Sequence, residues 1–582
     1  MLSPAKNTYA KNEVTQWPIP NYWDLVALIF VIAIVLVLAL GAHSMMGRFE
    51  VGDTVRISLN PAHLPYYALL TLLRMLIAMS FSLLFTFIFA TWAAKSRQAE
   101  RFIIPMIDLL QSVPVLGFLS IVIVGFIVLF RGSLLGPECA AIFAIFTAQA
   151  WNIALSFYQS LKMVPEDLHE ASHMLQLSAW QKFWRVEVPF AMPGLIWNMM
   201  LSMSGSWIFL VASEAISVAN HKIYLSGIGS YIAMAITEKD KMAILYVIMT
   251  MMVVIVLVDQ ILFRPLVAWS EKFKTSEVGN ESEPESWLLN LFQRTRFMRF
   301  IGNYGTSFFS AMVNVPLLRR RQRNAPQSTF NKKLRWCIVF TWNIVLTILV
   351  LFALFVLFRF ILSKVKISEI FSVTYDGVFT AMRVLAAIIV SSIVWVPLGV
   401  LIGLHAKATR IVQPIAQFLA AFPMNLIFPL VVWAILRFHL SVNLWVSPLM
   451  VMGSQWYILF NVIAGTSALP KNLHYAVGTL NVRGWLWWKR FILPGIFSYY
   501  ITGAITAAGN AWNVSIIAEA VSWGSTRLWA TGLGAYIVQA SDKGDFQRLA
   551  LGIVIMSLFV LSFNRFIWRP LYNLAETRYR LR

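Results

Sequence analysis

The sequence predicts an all-α polytopic membrane protein with about twelve transmembrane helices in two homologous six-helix halves. Three observations carry that expectation. Hydrophobic residues make up 59% of the 582 positions and charged residues 13%, whereas a soluble domain holds about a quarter charged residues. Apolar runs long enough to cross a bilayer recur along the chain, since a helix rising about 1.5 Å per residue needs about 20 residues to span about 30 Å of hydrocarbon. Finally, a set of polar, charged and proline residues in the first half returns in the second at near-constant spacing.

Taken in order, the apolar runs fall at about 25–47, 64–93, 103–130, 138–160, 191–218 and 243–269, then 336–362, 377–404, 412–436, 443–466, 495–521 and 549–571. The run from Leu25 to Met46 lacks a short apolar region followed by a small-residue cleavage site, so it reads as a retained first helix. Four regions result: a cytoplasmic N-terminal segment 1–24, a first domain 25–269, a basic cytoplasmic linker 270–335 and a second domain 336–582. The linker holds an acidic stretch, SEVGNESEPES, an amphipathic stretch, WLLNLFQRTRFMRF, and the basic run RRRQRN.

The net charge of +21 does not point to nucleic acid, because the cations cluster beside apolar runs, as at Lys95/Arg97/Arg101, Arg319/Arg320/Arg321/Arg323 and Arg578/Arg580/Arg582. With twelve crossings and both termini in the cytoplasm, nearly all of these clusters fall inside, as the positive-inside bias requires. Cys139 and Cys337 lie far apart, which leaves neither a disulfide framework nor a zinc cluster. His169 and His173 share a helical face with Glu170 beside the first, the H-E-x-x-H spacing of zinc sites, but the second half repeats only the first of them, as His474, and metal binding is not expected.

Thr71, Arg74, Pro105 and Pro114 recur as Thr380, Arg383, Pro414 and Pro423, each 309 positions on. Beyond a short deletion the spacing is 305. There Pro165, Leu168, His169, Ala171, Trp180, Arg185 and Pro189 meet Pro470, Leu473, His474, Ala476, Trp485, Arg490 and Pro494. Further on, Trp207, Glu214, Gly227, Gly229, Tyr231 and Asp240 meet Trp512, Glu519, Gly532, Gly534, Tyr536 and Asp545. Gene duplication accounts for this register. An even number of spans per half gives both halves one orientation, related by an axis along the membrane normal, with a pathway between them.

Between the fourth and fifth spans of each half lies a proline-bounded loop, VPEDLHEASHMLQLSAWQKFWRVEVP in one and LPKNLHYAVGTLNVRGWLWWKRFILP in the other. Proline lacks an N–H and disfavours α geometry before it, so each loop contains a short delimited helix. These loops resemble the EAA motif of ABC importer permeases, whose pattern is EAA, three residues, Gly, nine residues, an apolar residue and Leu-Pro. Glu170, Ala171 and Ser172 stand at the EAA positions of the first half. The motif glycine is replaced by Gln176 and Asn481, and Tyr475 replaces the glutamate next to Ala476.

The resemblance covers about 64–269 and 377–572. It implies a type I importer-like permease in the inner membrane of a bacterium, with Glu170, Ala171, Ser172, Gln176, Ala476 and Asn481 coupling it to two ATP-binding cassette ATPase subunits. A periplasmic or extracellular solute-binding protein would deliver the solute, and membrane lipid would surround the spans. No part of the chain reads glycine, four residues, Gly-Lys-Ser/Thr, so no cofactor is expected on this chain and ATP and Mg belong to the partner subunits. The chain is therefore expected to be a transport subunit and not itself an enzyme. A secondary transporter with two homologous halves is the alternative, but it has no reason to repeat a docking helix.

The segments WNVSIIAEAV and GLGAYI resemble the nitrate/sulfonate/taurine/bicarbonate branch of these permeases, with weaker counterparts SWIFLVASEAI and GIGSYI in the first half. That resemblance implies a small oxyanion, sulfonate or related solute. Candidates for the translocation pathway are Ser206, Trp207, Ser213 and Glu214 in one half and Asn510, Trp512, Asn513, Ser515 and Glu519 in the other. A carboxylate in hydrocarbon is costly, so Glu214 and Glu519 either line the path or cap the following glycine loop through backbone N–H groups. Gln111, Ser112 and Pro114, with Ala421 and Pro423 at the matching place, are expected to interrupt the third and ninth spans.

Overall fold

The computed structural model describes residues 57–111, 113–218, 221–273, 286–295, 304–307, 310–314 and 332–578, apart from 524–525, together with isolated positions between 32 and 45. The N-terminal segment, most of the expected span 25–47, Ser112 and the basic run 319–323 lie outside them, as does the side chain of Ala476.

Helices dominate, as expected. Among the described residues eight are long and apolar enough to cross a membrane: Pro61–Lys95, Leu135–Lys162, Ala179–Glu214, Lys241–Ser270, Ile367–Gly403, Val442–Ser467, Gly484–Ala518 and Phe546–Ala575. The expected run 336–362 falls within the continuous helix Lys332–Leu362. The third and ninth runs are interrupted where expected, each being a helix pair bent by more than 40°: Arg97–Gln111 with Val115–Leu129, and Lys407–Ala421 with Met424–Arg437. Pro114 and Pro423 cap the second member of each pair, and Phe422, just before Pro423, is extended. Proline imposes that geometry on its predecessor.

The fifth and eleventh runs, expected to reach 218 and 521, end earlier in hairpins, and the regions after them have structure. Residues Ala215–Val218 and His221–Tyr224 form a hairpin, paired Ala215 to Tyr224, followed by the helix Ile228–Glu238. In the second half Ala520–Trp523 pairs with Thr526–Trp529, followed by Leu533–Lys543. Wide, π-type turns lie at Thr86–Ala90, Phe183–Glu187, Asp259–Phe263, Trp488–Ile492 and Asn564–Trp568. The second and fourth of these match in the 305 register, as do the third and fifth.

The chain divides into two units. The larger comprises 41–162, 197–257 and 326–582 and holds spans of both halves. Its packing relies on small residues, because lipid supplies no hydrophobic drive between helices and close backbone approach does the work. Ala504, Ala507, Ala508 and Ala511 are all buried at helical spacing on one face of Leu493–Ala518, which packs on Ser447–Ser467. Gly403 lies so close to that same helix that a Cβ there would stand 3.0 Å from the Ile463 carbonyl oxygen.

The smaller unit comprises 1–40, 163–196 and 258–325. Within it, Glu166–Met174 follows Pro165, and Ser178 and Gln181 form a reciprocal capping box at the next short helix, Ala179–Lys182. The linker helix Trp287–Arg294, started by Ser286, packs on Arg264–Ser270. A linker turn, 310–314, meets the first proline-bounded loop: Trp180 Nε1–H donates to the Met312 carbonyl (3.2 Å), while Gln181 and Arg185 both donate to Asn314 Oδ1 (3.0 and 3.1 Å).

Candidate functional site

Glu214 ends the fifth span, and its fully buried carboxylate gathers donors from two other helices. Arg74 Nη1 and the Thr71 hydroxyl, both on Leu64–Phe85, each donate to Oε1 at 2.7 Å. The Gly229 N–H, in the first turn of Ile228–Glu238, donates to Oε2 at 2.7 Å. Thr71 also accepts from the Ile228 N–H (3.0 Å), and the Ser230 hydroxyl donates to the Glu214 carbonyl (2.6 Å). A Cβ on Gly227 would run into the carboxylate itself, and one on Gly229 into the Val211 carbonyl, so both positions need glycine for close approach. Arg74 turns its other edge to Glu138, whose two oxygens accept from Nε and Nη2 at 2.6 Å each.

The second half repeats the frame. Glu519 accepts from Arg383 Nη1 (2.7 Å), the Thr380 hydroxyl (2.9 Å) and the Gly534 N–H (2.8 Å), and Thr380 accepts from the Leu533 N–H (2.9 Å). In place of Glu138 stands Asn443, whose carbonyl and side-chain oxygens accept from Arg383 Nε and Nη2 at 3.4 and 3.3 Å. Asn443 is exposed, whereas Glu138 is buried.

Local charge offsets the cost of burying Glu138. Two carboxylates share one guanidinium in the first cluster, but Glu138 lies in the first turn of Leu135–Lys162 and Gly229 in that of Ile228–Glu238. Each helix N-terminus contributes roughly half a positive charge, so the two together offset the second carboxylate. One carboxylate in the second cluster needs only Arg383 and the start of Leu533–Lys543. Each cluster thus fastens the second span of its half to the end of the fifth and to the hairpin-helix that follows. Of the two roles left open for Glu214 and Glu519, the geometry contains the backbone cap to the glycine loop.

The remaining pathway candidates are mostly inside the protein. Ser206, Trp207, Ser213, Trp512 and Ser515 are buried, and each serine hydroxyl donates to a carbonyl of its own helix. Asn510 and Asn513 are half-buried and reach other helices. Asn510 donates to the Gly453 carbonyl (2.6 Å), and Asn513 Oδ1 accepts the Val115 N–H (3.0 Å), just past the break of the third span. On the other side of the seam between halves, Asn425 after the ninth-span break donates to the Ile208 carbonyl (3.3 Å). Breaks in one half therefore meet the fifth-type span of the other.

In the first proline-bounded loop Glu170 and Ala171 are exposed, and Ser172 is buried, donating to the His169 carbonyl (2.6 Å). Exposed Met174 and Leu175 flank them, as exposed Leu473, Tyr475 and Leu480 do in the second half. Gln176 and Asn481, the two replacements of the motif glycine, both adopt left-handed backbone with φ 51°. There the chain closes each helix: Leu177 N–H bonds the Ser172 carbonyl (3.1 Å) and Val482 N–H the Val477 carbonyl (3.2 Å). A left-handed residue after a helix is the position that favours glycine. Glu138 and Asn443 are the residues that sequence reasoning missed. They stand in the 305 register, but a Glu opposite an Asn carries no identity to notice.

A family model described as binding-protein-dependent transport system inner membrane component matches residues 82–272 and again 395–567. Among curated proteins, the chain is 23% identical over 196 residues to the bicarbonate transport system permease protein CmpB of Synechococcus elongatus, covering 33% of this chain and 66% of that one. It is 29% identical over 110 residues to the nitrate import permease protein NrtB of a Synechocystis species, covering 19% and 37%. To the glycine betaine/proline betaine transport system permease protein ProW of Escherichia coli it is 29% identical over 167 residues, covering 28% and 44%. The chain spans less than two thirds of each of these relatives.

Proposed function

The chain belongs to the family of binding-protein-dependent transport system inner membrane components, with two permease domains fused in one polypeptide, and on that premise we propose that it forms the translocation pathway of an ATP-driven importer for a small anion. Relatives named for bicarbonate and nitrate support that solute class. A solute-binding protein hands over the anion, and two ATPase subunits, carrying ATP and Mg, each grip one short helix, Glu166–Met174 or Lys471–Thr479.

The observation that carries this reading is the pair of short helices, Glu166–Met174 and Lys471–Thr479, in the same register of the two halves and each closed by a left-handed residue. Glu170, Ala171, Ser172 and Gln176 supply the first coupling surface, and Ala476 and Asn481 belong to the second. Exposed Ala171 leaves room for close approach, and Met174 and Leu175 offer apolar area to a partner. When the ATPases close, the seam at Val115/Asn513 and Asn425/Ile208 is where the halves part. Asn510 and Asn513 then offer the polar lining, while the two carboxylate clusters hold each half rigid.

Replacing Ala171 by Arg forces a long charged side chain into a site sized for a methyl group. The variant is expected to insert normally and to retain far less ATPase on co-purification. Undiminished ATPase would end the docking assignment. Mass measurement of the intact complex should give one permease chain with two ATPases.

A further inference from the structure

The linker turn against the first docking loop shows what the matching surface of the second loop lacks. In the first half the Trp180 indole N–H and the Arg185 guanidinium both point at oxygen acceptors, the Met312 carbonyl and Asn314 Oδ1. Their counterparts, Trp485 and Arg490, have no hydrogen-bond partner among the described residues, and Trp485 is 73% exposed. Gln181, which shares Asn314 with Arg185, is replaced by exposed Leu486.

Charge changes along with cover. The first loop carries Glu166, Asp167, Glu170 and Glu187 against Lys182 and Arg185; the same window of the second carries Lys471, Arg483, Lys489 and Arg490 and no acid, and none occurs before Glu519. Arg483, Lys489 and Arg490 are exposed, and Trp487 and Trp488 stand beside them, ring to ring at 5.5 Å. This cluster sits where the wide turn Trp488–Ile492 runs straight into the span Leu493–Ala518.

We propose that the Trp485/Arg490 surface, with Arg483 and Lys489, binds the headgroups of anionic phospholipids. A phosphodiester supplies the oxygen acceptors that Met312 and Asn314 supply in the other half, and adds the negative charge that the cations lack. Tryptophan is favoured at headgroup depth, and each Lys or Arg near an anionic membrane surface strengthens attachment. One docking loop is thus braced by the chain's own linker and the other by the membrane.

The full-length permease, purified without lipid in detergent, is titrated with phosphatidylglycerol and with phosphatidylcholine, and retained lipid is read by native mass spectrometry. The combined variant Arg483→Gln/Lys489→Gln/Arg490→Gln should bind phosphatidylglycerol on the order of a hundred-fold less tightly, with phosphatidylcholine unchanged. Arg185→Gln should leave phosphatidylglycerol affinity untouched, and Arg483→Lys/Arg490→Lys, which keeps the charge, should largely preserve it. Capture of the ATPase by the triple variant, measured in the same lipid-free detergent, should be unaltered. Unchanged phosphatidylglycerol affinity in the triple variant, or its loss in the charge-preserving one, overturns the proposal. So does loss of ATPase capture, which would give the surface to that protein. Because lipid and ATPase are read separately, failure here leaves the docking helices to stand or fall on Ala171→Arg.

Discussion

Arg74 and Arg383 occupy one position of a duplicated frame, yet Arg74 is sealed between two carboxylates while Arg383 meets one carboxylate and an exposed asparagine. The contacts that repeat are those between the second span, the end of the fifth and the glycine-started helix. The contact that differs is the one to the start of the fourth. The frame therefore requires the three-way fastening. The second acid is an addition that the first half tolerates because two helix N-termini face it. A buried ion pair contributes little net stability over an apolar pair, but removing one partner strands the other at a cost of about 3–5 kcal/mol.

That cost differs between halves and gives the largest expected effect. Arg74→Met strands two buried carboxylates and should lower stability in detergent by about 5 kcal/mol or more, whereas Arg383→Met strands one and should sit near the lower end of about 3–5 kcal/mol. Thermal unfolding of the two purified variants checks the order, and equal losses would break the comparison. Converting the first cluster toward the second is milder. Glu138→Gln keeps an acceptor for Arg74 and should cost about 1–3 kcal/mol, more than Asn443→Ala in its wetter setting at about 1 kcal/mol.

The proline-bounded loops sharpen the same contrast. If Glu170 makes a charge-assisted contact with an ATPase, worth about 1.5 kcal/mol, Glu170→Ala should slow coupled transport roughly ten-fold and Tyr475→Ala less. Transport and ATPase rates of the two variants, measured in parallel, decide it; a larger loss at Tyr475 would reverse the assignment. The smallest effect is expected at the left-handed turns. Gln176→Gly removes a strain of about 1 kcal/mol and should stabilise the loop, while Asn481→Gly gains less, since asparagine tolerates that backbone better. Hydrogen exchange at Leu177 and Val482 reports both.

These differences mark how far the sequence could be read. Thr71, Arg74, Glu214 and their counterparts stood out as repeated polar residues in apolar runs, but their meeting could not be read, because a contact spanning well over a hundred residues leaves no local pattern. Glu138 escaped because the repeat was traced by identity, and the frame accepts acid or amide there. The hairpin-helices read as loops because four-residue strands and short helices among glycines fall below any period. The two span breaks were legible from their prolines. At Gln176 and Asn481 only the likeness to the EAA pattern pointed to a position where glycine belongs. Nothing in a glutamine foretells left-handed backbone.

The wide turns bear on how the chain can be edited. A π-type turn holds one residue more than the α-helical turn it replaces, so removing a single residue from Phe183–Glu187 or Trp488–Ile492 can close it to α geometry without rotating the span beyond it. A one-residue deletion within either segment should leave Glu214 or Glu519 aimed at its arginine, whereas the same cut a few turns later would swing that carboxylate by about 100° toward a different neighbour. The places where these long helices absorb a change of length are thus set at the wide turns, ahead of the carboxylates that must stay aimed.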